Sequence, residues 1–251
     1  MDQPDRKIKA VILHYGDPGL TRRLHRQLLA ADPDRAEDVL VLDNHAPQPY
    51  PEAWQRTEEN LFWAGALDWT FRRLQGTCER FFFLNNDAYF LAASPGSRPV
   101  LGTAATRLAR IENACGPVGI YSPAAEKNPY QPQMVADPAR QYRLAELCDG
   151  IAPCFSMACL EAVGGVDTDG NPYGYGVDLW LSMQARRAGF QVVVDHQLVV
   201  RHIYHSTARK VDGFLERAAL AEDAYLTARL GVSWRERVDE LKCRWRDFDK
   251  I

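Results

Sequence analysis

Three short apolar runs near the start of the chain each end in polar residues. Lys9–Leu13 (KAVIL) runs into His14-Tyr15-Gly16-Asp17-Pro18, Val39–Leu42 (VLVL) into Asp43-Asn44-His45, and Arg80–Leu84 (RFFFL) into Asn85-Asn86-Asp87. Apolar runs of this length without alternation read as strands buried on both faces. Between them, Leu20, Leu24, Leu28 and Leu29 recur at helical spacing with Arg22, Arg23 and Arg26 on the other face, and Ala64–Leu74 reads as a second helix. Strands alternating with helices predict an α/β fold around a mostly parallel, doubly wound central sheet flanked by helices. Ligands of such sheets sit beyond the carboxyl ends of the strands, so three polar strand ends on one edge predict a site there.

The second half is less regular. Val100–Ala114 carries a helical period, Val118–Tyr121 a strand, and Glu126–Leu147 reads as a long loop. A Gly- and Asp-rich stretch (AVGGVDTDGNPYGYG) precedes an amphipathic helix from Val177 to Ala188. Two short strands, Gln191–Asp195 and Leu198–His202, and a helix from Ala208 to Leu230 follow. With no internal repeat or low-complexity linker, the expectation is one domain over residues 1–206 and a helical extension over 207–251 packed on it.

Composition narrows the class. At 251 residues with 46% hydrophobic and 25% charged residues, the chain is long enough to bury a core without covalent staples. Thirty Lys and Arg against 33 Asp and Glu leave a net charge of −3, without the basic footprint of a nucleic-acid-binding domain. The six cysteines show no CxxC pair and read as reduced, mostly buried thiols. The N-terminal segment has no apolar h-region and no run is long enough to span a bilayer, so a cytoplasmic location, at most peripheral at a membrane, is expected.

Three segments carry chemistry. The strand Phe81–Leu84 delivers Asn85-Asn86-Asp87 to the sheet edge, where one carboxylate suits a hard divalent cation whose remaining positions phosphates and water fill; an Asn-Asp turn with no ligand is the plainer reading. In VVRHIYHS, His202 could complete a metal site with Asp87 through a neutral imidazole nitrogen. His202 and His205, three apart, face opposite sides of an extended chain and join only in a helical turn. In Gly174-Tyr175-Gly176-Val177-Asp178, glycines allow close backbone approach and start a helix with Asp178 in its first turn, as a proton acceptor or as a helix-capping acid.

The ordered segments VILHYG, VLVLDN, ENLFWAGALDW, FFFLNND, EAVGGVD, YGYGVDLWLSMQARRAGF and VVRHIYHS resemble family 2 glycosyltransferases of the glycosyltransferase A fold, closest to a bacterial rhamnosyltransferase-like branch, over residues 8 to 206. The resemblance implies a Rossmann-like domain. It implies that His14, Tyr15, Asp43 and Asn44 hold the base and ribose of a nucleotide-diphosphate sugar, and that Asn60, Trp63 and Gly65 line the donor pocket with Asn85 and Asn86. It implies Mn²⁺ or Mg²⁺ on Asp87 and His202, and an acceptor side near Gly165, Asp167 and Tyr175. The family's Glu-Asp pair is replaced by Tyr175-Gly176, leaving Asp178 as the candidate base, with Asp167 and Asp169 as fallbacks.

The implied reaction is inverting, metal-assisted transfer of a sugar to a hydroxyl acceptor, as in polysaccharide, glycolipid or small-molecule glycoside synthesis. A non-catalytic sugar-nucleotide-binding protein and a nucleotidyltransferase are the alternatives. In the tail, Trp234, Val238, Leu241, Trp245 and Phe248 form a near-heptad row. That row predicts a helix packed on the domain or on a second copy in a homodimer. A membrane-surface helix is the alternative, weakened by acids that nearly cancel its basic residues.

Overall fold

The computed structural model describes residues 7–91, 99–171, 173–203 and 212–251. Its strands are β1 (Ile8–His14), β2 (Val39–Asp43), β3 (Gln55–Arg56), β4 (Arg80–Asn85), β5 (Ala88–Phe90), β6 (Val118–Ala125), β7 (Tyr142–Ala145), β8 (Cys154–Ser156), β9 (Gln191–His202) and β10 (Trp245–Phe248). Its helices are α1 (Pro18–Ala31), α2 (Phe62–Leu74), α3 (Val100–Cys115), α4 (Met157–Ala162), α5 (Val177–Arg187), α6 (Phe214–Leu230) and α7 (Trp234–Lys242).

One sheet runs in the order β10-β7-β9-β6-β8-β4-β1-β2-β3, with β5 added on β9. The expected parallel winding holds from β3 through β2 and β1 to β4. Beyond β4 the sheet is mixed: β8 is antiparallel to both β4 and β6, β6 and β9 are parallel, and β7 and β10 close the edge antiparallel.

The non-alternating runs are explained by burial on both faces. Val11, Leu13, Phe81 and Phe83 pack into a core with Leu67 and Phe71 of α2 and residues of α4 and α5. Ala10, Ile12, Phe82 and Leu84 point the other way, against Leu24 and Leu28 of α1 and Leu101 and Leu108 of α3. Phe81, Phe82 and Phe83 are fully buried, and each such side chain contributes about 1.5–3 kcal/mol of burial free energy. Asp32, itself buried, starts α3 by accepting from the amides of Val100, Leu101 and Gly102 at 2.7, 3.0 and 3.2 Å, which satisfies three otherwise orphaned donors.

Several elements depart from the sequence expectation. The 126–147 segment contains β7. Residues 191–202 form one bulged strand rather than two, because the polar residues that interrupt the run all find partners. Asp195 accepts from Arg107 Nε and Tyr121 Oη, both at 2.5 Å, and His196 accepts from the Asp137 amide at 3.1 Å. The tail is helical only through Lys242, and the start expected for its first helix lies outside the described residues. Trp234 and Val238 of α7 are buried against the domain core. Trp245 and Phe248 of the same expected row lie instead on β10, which extends the sheet from β7; the Phe248 ring stacks on Tyr142 at 4.5 Å. Arg143 anchors this edge through Asp247, with Nε to Oδ1 at 2.7 Å.

Of the six cysteines, all free, Cys78, Cys148, Cys154 and Cys159 are buried, as expected for reduced thiols, while Cys243 is exposed. No helix among the described residues is long and apolar enough to cross a membrane.

Candidate active site

The register of β1, β2 and β4 sets Leu13 beside Asn85 and His14 beside Asp43, so the polar strand ends share one edge. A cleft of about 960 Å³ opens there. Tyr15, Asn44, Asn60, Trp63, Asn85, Asn86, Asp87, Tyr175, Asp178 and His202 all line it.

The Asn-Asn-Asp turn is fixed from behind. Asn86 Nδ2 donates to Thr21 Oγ1 at 3.0 Å and to the Tyr15 carbonyl at 3.3 Å. Fully buried His14 lies 2.7 Å from Thr21 Oγ1 through Nδ1 and 2.8 Å from the Gln48 carbonyl through Nε2. The carbonyl requires a proton on Nε2; in the neutral ring Thr21 then donates to Nδ1 and in turn accepts from Asn86. His14 is a brace for this turn, buried behind the cleft wall.

Past the turn, β5 pairs with β9 so that Ala88 faces His202, and the Ile203 amide donates to the Asp87 carbonyl at 3.2 Å. This ladder brings His202 Nε2 to 2.9 Å from Asp87 Oδ1, with both side chains about 10% exposed at the cleft floor. One carboxylate and one imidazole supply two side-chain ligands of a six-coordinate divalent cation, leaving the other positions to phosphate oxygens and water. That donor set fits Mn²⁺ or Mg²⁺ carried on a diphosphate; no group of three or more metal-binding side chains occurs among the described residues. His205 lies outside the described residues.

Asn44 and Asn60 clamp the entry to α2. Asn44 Nδ2 donates to Asn60 Oδ1 at 2.9 Å, Asn44 Oδ1 accepts from the Leu61 amide at 2.9 Å, and Asn60 Oδ1 accepts from the Phe62 amide at 2.9 Å. The clamp holds Phe62 at a φ of 54°, a conformation an aromatic residue rarely adopts and one that concentrates at ligand sites. Next along, Trp63 packs on Phe83 and donates through Nε1 to the Gly150 carbonyl at 3.0 Å.

Asp178 lies in the first turn of α5, half-buried, its Oδ1 accepting from the Leu179 amide at 2.9 Å. Burial, with the neighbouring Asp149 carboxylate, pushes its pKa up to about 7. Asp149 is buried in the same cleft; it accepts from Asn128 Nδ2 at 2.5 Å and from the Ile151 amide at 3.2 Å, and burial raises its own pKa. The two acidic segments are joined through Ser182, which accepts from the Cys148 amide at 3.0 Å and donates to the Asp178 carbonyl at 2.8 Å. The Gly-rich turn ahead of α5 is pressed against α2: Gly174, at a φ of 89°, has no room for a Cβ, which would meet Ala64 N at 2.9 Å.

The remaining expected residues lie away from the cleft. Asp43 is buried with its carboxylate taken by the Ala46 amide at 2.8 Å, the Tyr50 amide at 3.0 Å and Arg56 Nη1 at 2.7 Å, so it braces the loop after β2. Gly65 is a packing position in α2, its hydrogen side against Leu61. Gly165 faces Asp68 and Phe71 on the core side of α2. Asp167 is bound by Arg229 of α6 through Nε and Nη2 at 2.8 and 2.7 Å, and that pairing holds its carboxyl below the usual range. Asp169 is exposed in the same turn. Sequence reading missed Asp149 and Gly150; the Glu126–Leu147 loop and the tail were expected to build an acceptor pocket without any motif to name its residues, and they contribute Asn128, Phe214, Glu222 and Lys242 to the cleft. The Cys-Asp-Gly around Asp149 carries no motif, and the tail reaches the cleft only through packing.

No protein-family model matches the chain. Among solved structures, GalNAc-T7 crystallised with UDP, GalNAc and Mn²⁺ superposes with a TM-score of 0.63 at 10% identity, over 95% of this chain and 55% of that one. The mannosyltransferase PcManGT from Pyrobaculum calidifontis, in complex with GDP-Man and Mn²⁺, superposes with a TM-score of 0.58 at 14% identity, over 94% and 74%. The fold is therefore the glycosyltransferase A fold, a central sheet flanked by helices. In sequence, the chain is 32% identical over 189 residues to uncharacterized protein Mb1552 of Mycobacterium bovis (strain ATCC BAA-935 / AF2122/97), covering 72% of this chain and 69% of that protein. The same figures hold for uncharacterized protein Rv1525 of Mycobacterium tuberculosis (strain ATCC 25618 / H37Rv). The chain belongs to the family of these mycobacterial proteins.

Proposed function

We propose that this protein is a family 2-type, inverting glycosyltransferase that moves a sugar from a nucleotide diphosphate to a hydroxyl acceptor. The observation that carries the reading is the pairing of Asp87 with His202 at 2.9 Å in the same cleft as Asp178, a carboxylate poised near neutrality. The polar strand ends, with Tyr15, Asn44 and Asn60 on the cleft wall, suit the nucleoside and ribose, and Asn85-Asn86-Asp87 with His202 suits the diphosphate. A divalent cation held by Asp87 and His202 would neutralise the departing diphosphate. Asp178 takes the proton of the acceptor hydroxyl; a base near pKa 7 combines the ionised form with proton affinity at neutral pH. Asp167, ion-paired and more acidic, suits that role poorly.

The test is thermal denaturation with UDP-, GDP-, dTDP- and CDP-linked sugars, each with and without Mn²⁺. A ligand that binds only the folded state raises its stability as RT ln(1 + [L]/Kd). The reading expects one nucleotide class to shift the transition in a Mn²⁺-dependent way, and Asp87→Ala to remove that dependence. A donor shift that is indifferent to Mn²⁺ and to Asp87→Ala would overturn the metal role; no shift with any donor would overturn the function.

A further inference from the structure

Asp149 is a buried carboxylate lining the cleft, and neither the cation nor the acceptor proton calls on it. Its place is fixed by residues 148–151, which are tied on three sides. The Ile151 carbonyl accepts from the Asn85 amide at 3.0 Å, at the base of the Asn-Asn-Asp turn. The Gly150 carbonyl accepts from Trp63 of α2 at 3.0 Å. The Cys148 amide donates to Ser182 of α5, whose hydroxyl donates to the Asp178 carbonyl. Asp149 is thus held between the turn that carries Asp87 and the first turn of α5. Electrostatics agree: the charge of Asp149 acts on Asp178, and that of His202 acts on Asp149.

A bracing carboxylate and a ligand-binding one differ in what saturates them. Asp43, the brace after β2, takes two amides and a guanidinium and does not line the cleft. Asp149 takes Asn128 Nδ2 and the Ile151 amide, with no Arg or Lys ion pair among the described residues. An ionised carboxylate has about four lone-pair sites, so roughly half of its accepting capacity is left for a ligand. Burial makes unfilled capacity costly, and hydroxyl donors fill it. A third cation ligand is not its role, since no group of three metal-binding side chains occurs among the described residues.

In-line displacement puts the anomeric carbon between the departing diphosphate, on the Asp87–His202 side, and the acceptor oxygen, on the Asp178 side. The ring of the transferred sugar then lies across Asp149. We infer that Asp149 accepts a hydrogen bond from a ring hydroxyl of the transferred sugar and so selects which nucleotide sugar is bound. This rests on the glycosyltransferase reading and gives it a specificity-determining residue. A buried carboxylate accepts and does not donate, so it discriminates against a sugar that lacks that hydroxyl or carries it on the other face.

The experiment is isothermal titration calorimetry of the full chain with Mn²⁺. The ligands are UDP, GDP, dTDP and CDP, and the donors UDP-glucose, UDP-galactose, GDP-mannose, dTDP-rhamnose and CDP-glucose. The donor that binds most tightly is then compared with its monodeoxyfluoro analogues, one for each ring hydroxyl. Fluorine has no proton to donate and turns its own partial negative charge to the carboxylate. On wild type, one analogue is expected to bind about 10–100-fold more weakly than the parent. Asp149→Asn should bind the parent donor about tenfold more weakly, bind the matching nucleoside diphosphate as wild type does, and show no further loss with that analogue. Wild type that binds a nucleoside diphosphate but no donor, or binds every analogue like the parent, overturns the inference. So does Asp149→Asn that keeps the donor affinity, retains the full analogue penalty, or loses the nucleoside diphosphate as well, which is the mark of a fold or cation role. A wild-type protein that binds neither nucleoside diphosphate nor donor overturns the glycosyltransferase reading itself.

Discussion

Replacing Asp178 with Asn separates the stability cost of the candidate base from its chemistry. Its pKa rises from an ordinary 3.8 to about 7, chiefly by burial and then by Asp149. Between those values the folded protein holds a proton on Asp178 that the unfolded chain has released, so the contribution of Asp178 to wild-type stability falls as pH rises from about 4 to about 7 and is level above. Roughly three pH units at 1.36 kcal/mol each set an upper limit of about 4 kcal/mol for the cost of carrying the buried charge at pH 8. Asn carries no charge at any pH. Urea denaturation of Asp178→Asn and wild type is therefore expected to show the stability difference moving in favour of Asn by about 2–3 kcal/mol between pH 5 and pH 8. The same variant should lose about 10²–10⁴-fold in kcat, the usual contribution of a general base. A stability difference that does not change with pH, or an Asn variant less stable than wild type at pH 8 but not at pH 5, would refute the assignment of a buried, proton-holding carboxylate.

Two further substitutions test the framework around the site. Asp43→Ala strips the acceptor from two buried amides and from Arg56; a loss of about 3–5 kcal/mol in urea is expected, with Asp43→Asn recovering part, and a loss under about 1 kcal/mol would contradict its bracing role. Gly150→Ala would set a Cβ 2.9 Å from Trp63 Cζ2. Overpacking of this kind should cost about 1–3 kcal/mol and change the tryptophan fluorescence, whereas an unchanged spectrum and melting temperature would show that Trp63 is not held there.

The parts of the fold legible in sequence were those set by local pattern. Buried parallel strands announce themselves as continuous apolar runs, and their polar ends pointed to the cleft edge. The Asp87–His202 pairing was also within reach, since each residue ends a recognisable strand segment. What escaped depends on partners distant in sequence. The interruption Asp195-His196-Gln197 reads as a break until Arg107, Tyr121 and the Asp137 amide satisfy it. Strand β7 (YRLA) is too short and too polar to signal itself, and β10 exists because Arg143 and Tyr142 give Asp247 and Phe248 somewhere to dock. Asp43 and His14 sit in the expected segments, yet their side chains turn inward to saturated partners, a distinction that strand position alone does not encode. Asp149 and Glu222 carry no local pattern and meet Asp178 only through tertiary packing.

The central claim is most directly tested by measuring nucleoside diphosphate released from UDP-, GDP-, dTDP- and CDP-sugars, with Mn²⁺ and a mixture of methyl pyranosides as acceptors, by wild type and by Asp178→Asn. The account predicts release from one nucleotide class that EDTA abolishes and Asp178→Asn loses. Release by Asp178→Asn at the wild-type rate, or none from any donor by a folded wild-type protein, would contradict it.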